Sequence, residues 1–344
     1  MADPLQSPLR HHGDVEATDG LLDFAVNVFP GPPPPWLDRA LRDSLDRIGR
    51  YPSPTYAEAA VAAVHGRPAD EVLATAGAAE AFTLVARLRP WRRPVVVHPQ
   101  FTEPHAALEQ AGHRVTEVRC DTAGDFAFDP SSIPDDADLV VVGNPTNPTG
   151  VLHPADTIAG LVRAGRLVVV DEAFIDAVPG ERQSLAGSAA PGLVVLRSLT
   201  KHWGIPGVRA GYLLADAALV GELRDGQVPW SVASTAAAAM LACSTDQAVA
   251  ESARRAERIA TWRTELEESL STMGIHHICS QSSFVLAQVG EGVHSALRDA
   301  GIAVRRADTF PGLDGSWVRI AVRPPERTRS LLDALSALGP DALG

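Results

Sequence analysis

Lysine is nearly absent from this chain. The lysines and arginines among its 344 residues number 30, and all but Lys201 are arginine. An arginine side chain keeps its proton, whereas a lysine amine can lose one and attack a carbonyl carbon to form a Schiff base. The single lysine therefore indicates a chemical role for this amine, although a general replacement of lysine by arginine could also have left one by chance.

Cysteines are few, and the chain has neither a positive net charge nor a long apolar run. Cys120, Cys243 and Cys279 lie far apart without a C-x-x-C pair, which predicts buried thiols in a reducing compartment. A net charge of −12 argues against nucleic acid as the main partner, while a local group of arginines could still bind a small anion. No apolar run approaches the ~20 residues of a membrane-spanning helix, and no signal segment is evident. We therefore expect a cytoplasmic protein with no membrane partner.

Short β-branched runs alternate with alanine-rich amphipathic stretches after a proline run at 30–35. Runs such as Leu139–Val142 are apolar throughout, which is typical of strands buried on both faces of a sheet. The alternation predicts a mostly parallel sheet covered by helices, and the pattern changes at about residue 246. We predict an N-terminal arm at 1–35 that packs on the small domain, a large α/β domain at 36–245 and a smaller α+β C-terminal domain at 246–344.

The predicted strands and the long helix can be given bounds. The long charged helix is predicted at Asp246–Met273. The strands are predicted at Val72–Thr75, Pro94–His98, Arg114–Val118, Asp138–Gly143, Leu167–Asp171, Leu193–Ser198, Arg209–Leu214, Ser283–Gln288, Ile302–Arg306 and Trp317–Val322.

The residues around the lysine suit one kind of ligand. Ser198 and Thr200 place two hydroxyls just before the amine of Lys201, and Arg209 follows eight residues after it. Hydroxyls and an arginine bind a phosphate monoester, and a lysine amine binds an aldehyde. Pyridoxal 5′-phosphate (PLP) carries both groups. We therefore predict that PLP is the cofactor and that Lys201 is its point of attachment.

Four further motifs follow predicted strands, at the edge where open α/β sheets bind ligands. Asp171 could pair with a pyridine nitrogen and keep it protonated, or could simply cap a helix. Asn147, in a loop with two prolines, could direct its amide at the ring oxygen, or the loop could be a plain turn. Gly77-Ala78-Ala79 could present backbone N–H groups to a phosphate. Phe101 could stack on the ring or be an ordinary core residue.

Together these motifs resemble, in the same order and over nearly the whole chain, the fold-type I PLP-dependent aminotransferases. The resemblance implies a large domain, with a mostly parallel sheet sandwiched by helices, and a smaller α+β C-terminal domain. It implies that Lys201 carries the cofactor, Asp171 pairs with the ring nitrogen and Asn147 contacts the ring oxygen. Phe174 stands where the common pattern has a tyrosine. The implied phosphate ligands are Ser198, Thr200, Arg209 and the backbone of Gly77, Ala78 and Ala79.

Within that superfamily the chain is most similar to the histidinol-phosphate aminotransferase group, and within the group to the threonine-phosphate decarboxylases of cobalamin synthesis. The similarity implies a homodimer with shared active sites, in which Tyr51 reaches the cofactor phosphate of the partner subunit and Tyr56 lies near the substrate. It implies that Arg319 binds the substrate carboxylate. Arg305, Asn27 and His11 are implied to belong to the same pocket, and Arg323 is interpreted as a solvated charge. The segments that carry the similarity are Leu22–Asn27, Arg50–Tyr56, Asp171–Asp176, Arg197–Lys201, Pro229–Val232, Pro311–Asp314 and Val318–Arg323.

Two segments depart from the decarboxylase pattern. The arm reads His11-His12-Gly13-Asp14 where H-G-G-N is usual, and Phe29 replaces the second asparagine of N-x-N-P. Asp14 would oppose an anionic substrate if it faced the pocket. No third ligand at suitable spacing accompanies the two histidines, so no metal is predicted.

The expected substrate is a small phosphorylated amino acid or amine. We expect decarboxylation of O-phospho-threonine to aminopropanol phosphate. The alternative is an aminotransferase that uses histidinol phosphate, or a related amine, with 2-oxoglutarate as acceptor. A PLP-binding protein without catalytic activity is a third possibility, but retention of Lys201, Asp171, Asn147 and Arg209 argues against it.

Overall fold

The computed structural model of the chain describes residues 8–339, so the predicted parts at 1–7 and 340–344 lie outside the described residues. Its strands are β1 (Leu22–Phe24), β2 (Val72–Ala76), β3 (Pro94–His98), β4 (Thr116–Arg119), β5 (Leu139–Gly143), β6 (Leu167–Asp171), β7 (Leu193–Ser198), β8 (Ala210–Leu214), β9 (His276–His277), β10 (Phe284–Gln288), β11 (Ile302–Arg306) and β12 (Trp317–Ala321). Its helices are α1 (Gly13–Glu16), α2 (Pro35–Ser44), α3 (Thr55–His65), α4 (Ala78–Leu88), α5 (Glu103–Gln110), α6 (Ala155–Ala159), α7 (Leu199–His202), α8 (Ala217–Asp225), α9 (Ser234–Cys243), α10 (Asp246–Thr272), α11 (Val293–Asp299) and α12 (Pro325–Leu338).

The larger sheet has seven strands in the order β2-β8-β7-β6-β5-β3-β4. All neighbours are parallel except β8, which is antiparallel to both β2 and β7. The valine-rich strands are buried along their whole length, and successive side chains point to opposite faces. Val168 and Val170 contact one core cluster with α2, α3 and α9, while Val169 contacts another with α4 and α8. The predicted mostly parallel sheet between helices is confirmed.

The smaller sheet has five strands in the order β1-β11-β12-β10-β9. Its first strand comes from the N-terminal arm, where Leu22, Asp23 and Phe24 pair in parallel register with Ile302, Ala303 and Val304. The arm therefore closes one edge of the small-domain sheet. The division of the chain at 35/36 and 245/246 stays a prediction. The long helix α10 runs from the large domain to the small one, and its N-cap Thr245 accepts a hydrogen bond from Ala248.

Three expectations from the sequence need correction. The strand predicted from Arg209 begins at Ala210, because Arg209 adopts a left-handed backbone conformation with φ of 56°. Cys279 is exposed because it lies in the loop between β9 and β10; Cys120 and Cys243 are partly buried, and all three are free thiols. Arg323 is buried, and its guanidinium donates to carbonyls of the arm, so it is not a solvated charge.

Within residues 8–339 no helix combines the length and apolar composition that a membrane crossing requires. The cytoplasmic location stays a prediction.

Candidate active site

A cavity of about 450 Å³ opens at the carboxyl ends of the parallel strands, between the large domain, the small domain and the arm. Parallel strands meet at one edge of their sheet, so motifs far apart in sequence converge there. Gly77 lies beside the cavity, while Tyr51 and Tyr56 lie outside it. The predicted site residues that line it are His11, Asn27, Ala78, Ala79, Phe101, Asn147, Asp171, Ser198, Thr200, Lys201, Arg209, Arg305 and Arg319.

Lys201 lies on the short helix α7, directly after β7. Burial lowers the pKa of its amine to about 8, and the positive charges of Arg209 and Arg319 act in the same direction. The carboxylates of Asp171 and Asp14 oppose this effect. A lysine with a lowered pKa holds more of the neutral amine near neutral pH, which is the form that attacks an aldehyde.

Asp171 ends β6 and is buried. Burial raises the pKa of its carboxyl to about 6, against the hydrogen bond from the Ala173 N–H to Oδ1 (3.1 Å) and the charge of Lys201. No other hydrogen bond to the carboxylate is formed by residues 8–339. One oxygen is therefore left to face the cavity, and a cationic N–H group such as a protonated pyridine nitrogen would satisfy it.

The opposite end of the cavity can hold a phosphate. The N-terminus of α4, with Ala78 and Ala79, faces the hydroxyls of Ser198 and Thr200, whose oxygens are 2.8 Å apart. Arg209 approaches Gly77 so closely that a Cβ on that glycine would lie 2.6 Å from Nη2. Gly77 also has φ of +76°, a conformation that glycine adopts without strain. Helix N–H groups, hydroxyls and a guanidinium form a suitable set of phosphate ligands.

Arg319 forms a fixed cationic centre in the cavity. It is 5% exposed, and its Nη1 donates to Asn147 Oδ1 and its Nη2 to the Ala25 carbonyl, each at 2.6 Å. When the amide oxygen of Asn27 faces the guanidinium, it accepts from Nη1 and Nε at 3.1 Å. Burial and the nearby Arg305 lower the pKa of Arg319 well below its ordinary value. No carboxylate of residues 8–339 forms a salt bridge with it, so an anionic ligand would supply the missing counter-charge.

The arm closes the cavity by binding both domains. Arg10 and His12 contact the carboxylate of Glu103 at 3.1 and 2.8 Å, which ties the arm to the large domain. Arg305, which is 1% exposed, donates to the His11 carbonyl at 2.7 Å, which ties the arm to β11. Burial lowers the pKa of Arg305 to about 10. The arm therefore forms a wall of the site.

The two departures from the decarboxylase pattern lie in different places. Asp14 lines the cavity, so the arm presents a carboxylate to the ligand. Phe29 does not line this cavity. Its N–H donates to the Lys201 carbonyl at 2.9 Å, and its ring lies under Arg255, with 4.3 Å from Cζ to the ring centroid. Phe29 therefore supports α7 from behind.

Tyr51 and Tyr56 are the predicted site residues that this single chain leaves outside. They are 78% and 82% exposed. Tyr51 stacks on Trp230 with 4.4 Å between ring centroids. Leu45, Ile48 and Val228 are also exposed apolar side chains in these segments.

The sequence motifs did not predict several residues that line the cavity. Thr102 and Glu103 directly follow Phe101 at the end of β3, so the strand-end rule could have identified them. Phe82 lies one turn after Ala78 on α4, on the same helix face. Phe310 lies in a small-domain loop, and no local pattern announces it.

Beneath the site, Arg197 joins three carboxylates. Its guanidinium contacts Asp176 at 2.9 Å, Glu181 at 2.9 and 3.0 Å and Glu172 at 3.5 Å. Burial raises the pKa of Glu172 to about 7, which the charge of Arg197 opposes. The network ties the residues after β6 to β7, and so holds Asp171 and Ser198 at adjacent strand ends.

Comparison with known proteins agrees with this geometry. The sequence model of the family "Aminotransferase class I and II" matches residues 19–335. A histidinol-phosphate aminotransferase of Mycobacterium tuberculosis is 46% identical over 326 residues, which cover 92% of this chain and 89% of that protein. The threonine-phosphate decarboxylase of Salmonella typhimurium is 33% identical over 342 residues, with 92% and 91% covered. The crystal structure of the histidinol-phosphate aminotransferase from Clostridium acetobutylicum matches with a TM-score of 0.84 at 25% identity, covering 92% of this chain and 99% of that one.

Proposed function

Because the chain belongs to the aminotransferase class I and II family and its cofactor is PLP, we propose that it is an aminotransferase with histidinol phosphate, or a related phosphorylated amine, as amino donor and 2-oxoglutarate as acceptor. The chain is a PLP-dependent enzyme that acts on a phosphorylated substrate. The observation that carries the finer proposal is the 46% identity to a histidinol-phosphate aminotransferase over 92% of the chain, against 33% for the decarboxylase. Decarboxylation, the first expectation from the sequence, thus becomes the second candidate.

Asp14 supports the same choice. Its carboxylate lines the cavity, where it would repel the carboxylate of phospho-threonine, a group that histidinol phosphate lacks. An imidazole ring, which can carry a positive charge, is a better neighbour for that carboxylate. Decarboxylation is the second candidate because the segments Asp171–Asp176 and Pro229–Val232 are close to the decarboxylase pattern.

The site residues divide the chemistry between them. When bound, PLP supplies an aldehyde for the amino group and an electron-withdrawing ring that weakens bonds to the substrate α-carbon. Lys201 would hold the aldehyde end and Asp171 the ring nitrogen, with Ser198, Thr200 and Arg209 at the phosphate. The neutral amine of Lys201 would also be the base that takes a proton from the substrate α-carbon and the acid that gives it back.

Arg319 decides what happens to a carboxylate. Its guanidinium is held by Asn147 and the Ala25 carbonyl and cannot follow a moving ligand. A carboxylate bound to it as a planar fork is retained, so the proton is the group that leaves the α-carbon. An aminotransferase must retain the substrate carboxylate in this way when 2-oxoglutarate accepts the amino group.

Product analysis tests the proposal. Purified holoenzyme is given histidinol phosphate with 2-oxoglutarate, and separately O-phospho-threonine. We expect glutamate from the first mixture and little carbon dioxide from the second. Carbon dioxide from phospho-threonine, with no glutamate from the first mixture, would establish the decarboxylase instead.

The lowered pKa of Lys201 predicts how cofactor capture depends on pH. Only the neutral amine attacks the aldehyde, and its fraction falls about tenfold for each pH unit below the pKa. The rate at which cofactor-free protein takes up PLP should therefore rise with pH and level off above about 8. Stopped-flow absorbance measures it. Pyridoxamine phosphate, which has no aldehyde, should bind without this rise, and a PLP rate independent of pH would contradict the assignment.

We also propose that the enzyme is a homodimer with shared active sites. Tyr51 and Tyr56 are exposed and outside the cavity of their own chain, and together with Trp230 they belong to an exposed apolar surface. Such surfaces mark interfaces, and an obligate dimer buries at least about 2,000 Å². Tyr51 would reach the cofactor phosphate of the partner subunit.

Mixing inactive chains tests the shared site. Lys201→Ala and Tyr51→Ala chains are refolded together. If Tyr51 acts in the partner's site, each mixed dimer has one doubly defective site and one intact site, so it should have about half of the activity of a wild-type dimer. Random pairing of equal amounts makes about half of the dimers mixed, so the whole sample should recover about a quarter of wild-type activity. Lys201→Ala mixed with Lys201→Arg is the control and should stay inactive. No recovery from chains shown to have exchanged, or a monomer by ultracentrifugation, would count against the proposal.

A further inference from the structure

Two buried imidazoles meet away from the cavity. His98 ends β3 and is fully buried, and His105 lies in α5 and is 5% exposed. His98 Nε2 and His105 Nδ1 are 3.0 Å apart. Neither lines the cavity described above. At this separation the two nitrogens can share a proton, and a cation bound by both could take the place of that proton.

Sheet register adds a carboxylate to the pair. Strand β4 pairs with β3 in parallel, with Val96 opposite Glu117. Side chains two residues apart on a strand share a face, so Glu117 points to the same face as His98, the face that α5 covers. Glu117 Oε1 is 4.0 Å from His105 Nδ1, and one ligand atom from each of the three residues lies within 4.8 Å of the others.

A fourth residue orients the pair. His105 Nε2 is 3.4 Å from Glu109 Oε1, and the negative charge of this carboxylate favours a proton on Nε2, which would leave the lone pair of Nδ1 facing His98. His98 Nε2 then carries the shared proton, and His98 Nδ1 has no partner among the described residues. A cation could replace the shared proton. That proton would then move to Nδ1 of His98, and the His98 imidazole would stay neutral. Carboxylates that orient a ligating histidine in this way are common behind zinc ligands.

The donor set restricts the ion. Two imidazole nitrogens and one carboxylate oxygen suit Zn²⁺ or another late first-row divalent ion, with a fourth position for water, whereas Mg²⁺ and Ca²⁺ prefer oxygen ligands throughout. The Glu117 side chain is 30% exposed, so an ion can enter from its side. Arg119 pairs with Glu117 Oε2 at 2.6 Å, which leaves Oε1 for the ion.

We propose that His98, His105 and Glu117 form a second site that binds Zn²⁺ or an ion of the same class. The two histidines stand on either side of the segment Pro99–Pro104. That segment carries Phe101, which lines the cavity, and Glu103, which holds the arm. An ion that joins the histidines fixes both ends of this segment. The proposal stands independently of the substrate and of the reaction type.

Zinc binding to the chelator-treated holoenzyme tests the proposal. Titration calorimetry with Zn²⁺ should show one ion per chain, and X-ray absorption should show nitrogen and oxygen ligands at about 2.0–2.1 Å without sulfur. His105→Gln and Glu117→Gln should each weaken binding at least about tenfold. His276→Gln, at a histidine outside the cluster, and His12→Gln, at the arm, should leave zinc affinity unchanged.

The contrary outcomes are equally definite. No stoichiometric zinc on the wild-type protein would overturn the site, as would affinity unchanged in both His105→Gln and Glu117→Gln. A sulfur ligand, or loss of binding in His12→Gln, would place the ion at a cysteine or at the arm. If His105→Gln fails to give the wild-type circular dichroism spectrum, Glu117→Gln, a change at a partly exposed side chain, decides the matter alone.

Discussion

Replacement of Lys201 by alanine should abolish the covalent attachment of PLP and lower turnover by at least about 10³-fold, within the range seen when a positioned base or nucleophile is lost. Lys201 is the only lysine of the chain, so no neighbouring amine can replace it. Wild-type protein should be yellow, and borohydride should fix the pyridoxyl group on this residue alone. Absorbance spectra and peptide mass spectrometry measure both effects.

Lys201→Arg is the matched control for this experiment. It keeps a positive charge at the same position but has no amine that can lose a proton and bind an aldehyde. It should bind PLP without covalent attachment and should be as inactive as Lys201→Ala. Wild-type turnover by either variant would contradict the role of Lys201.

Replacement of Arg319 by alanine should separate the two halves of a transamination. Removing one partner of a buried charged contact costs about 2–5 kcal/mol, and each 1.4 kcal/mol is a factor of ten. The half-reaction with 2-oxoglutarate, which bears carboxylates, should therefore lose roughly 30- to 10³-fold or more in kcat/KM. The half-reaction with histidinol phosphate, which has no carboxylate, should change much less. Single-turnover absorbance changes follow each half separately.

Arg305→Ala provides the reciprocal comparison. Arg305 lines the same cavity and is predicted to help hold the substrate phosphate, so its loss should weaken histidinol phosphate more than 2-oxoglutarate. Equal losses in both half-reactions of Arg319→Ala would show that Arg319 does not read a carboxylate. The two arginines are then distinguished by the half-reaction in which kcat/KM falls more. A general loss of folding would lower kcat/KM equally in both half-reactions.

The reaction type does not follow from the cofactor motifs. The motifs near the lysine are shared by aminotransferases and decarboxylases, because both kinds of enzyme bind PLP through the same groups. Asp14 departs from the decarboxylase pattern, but the effect of its charge on a substrate depends on whether it faces the pocket. In the structure Asp14 lines the cavity, and this position supports the proposed aminotransferase over the decarboxylase.

The sequence alone determined the features that depend on short stretches of chain. Valine runs such as Val168–Val170 predict buried parallel strands, because such strands are covered on both faces. The single lysine with its flanking hydroxyls and Arg209 predicts PLP, since these groups are chemically matched to an aldehyde and a phosphate. The residues at strand ends predict the cofactor end of the site, because all parallel strands of a sheet end at one edge.

Only the tertiary structure decided which side chains of the arm and the small domain line the cavity. The contact of Arg319 with Asn147 joins residues 172 positions apart, and the contact of Arg305 with the His11 carbonyl joins residues 294 positions apart. Tyr51 is outside its own cavity, and His98 meets His105 across a helix start, which no spacing rule announced. Local sequence sets strand and helix preferences, but such contacts depend on how two sheets and the arm pack together, and that packing is the sum of many distant interactions.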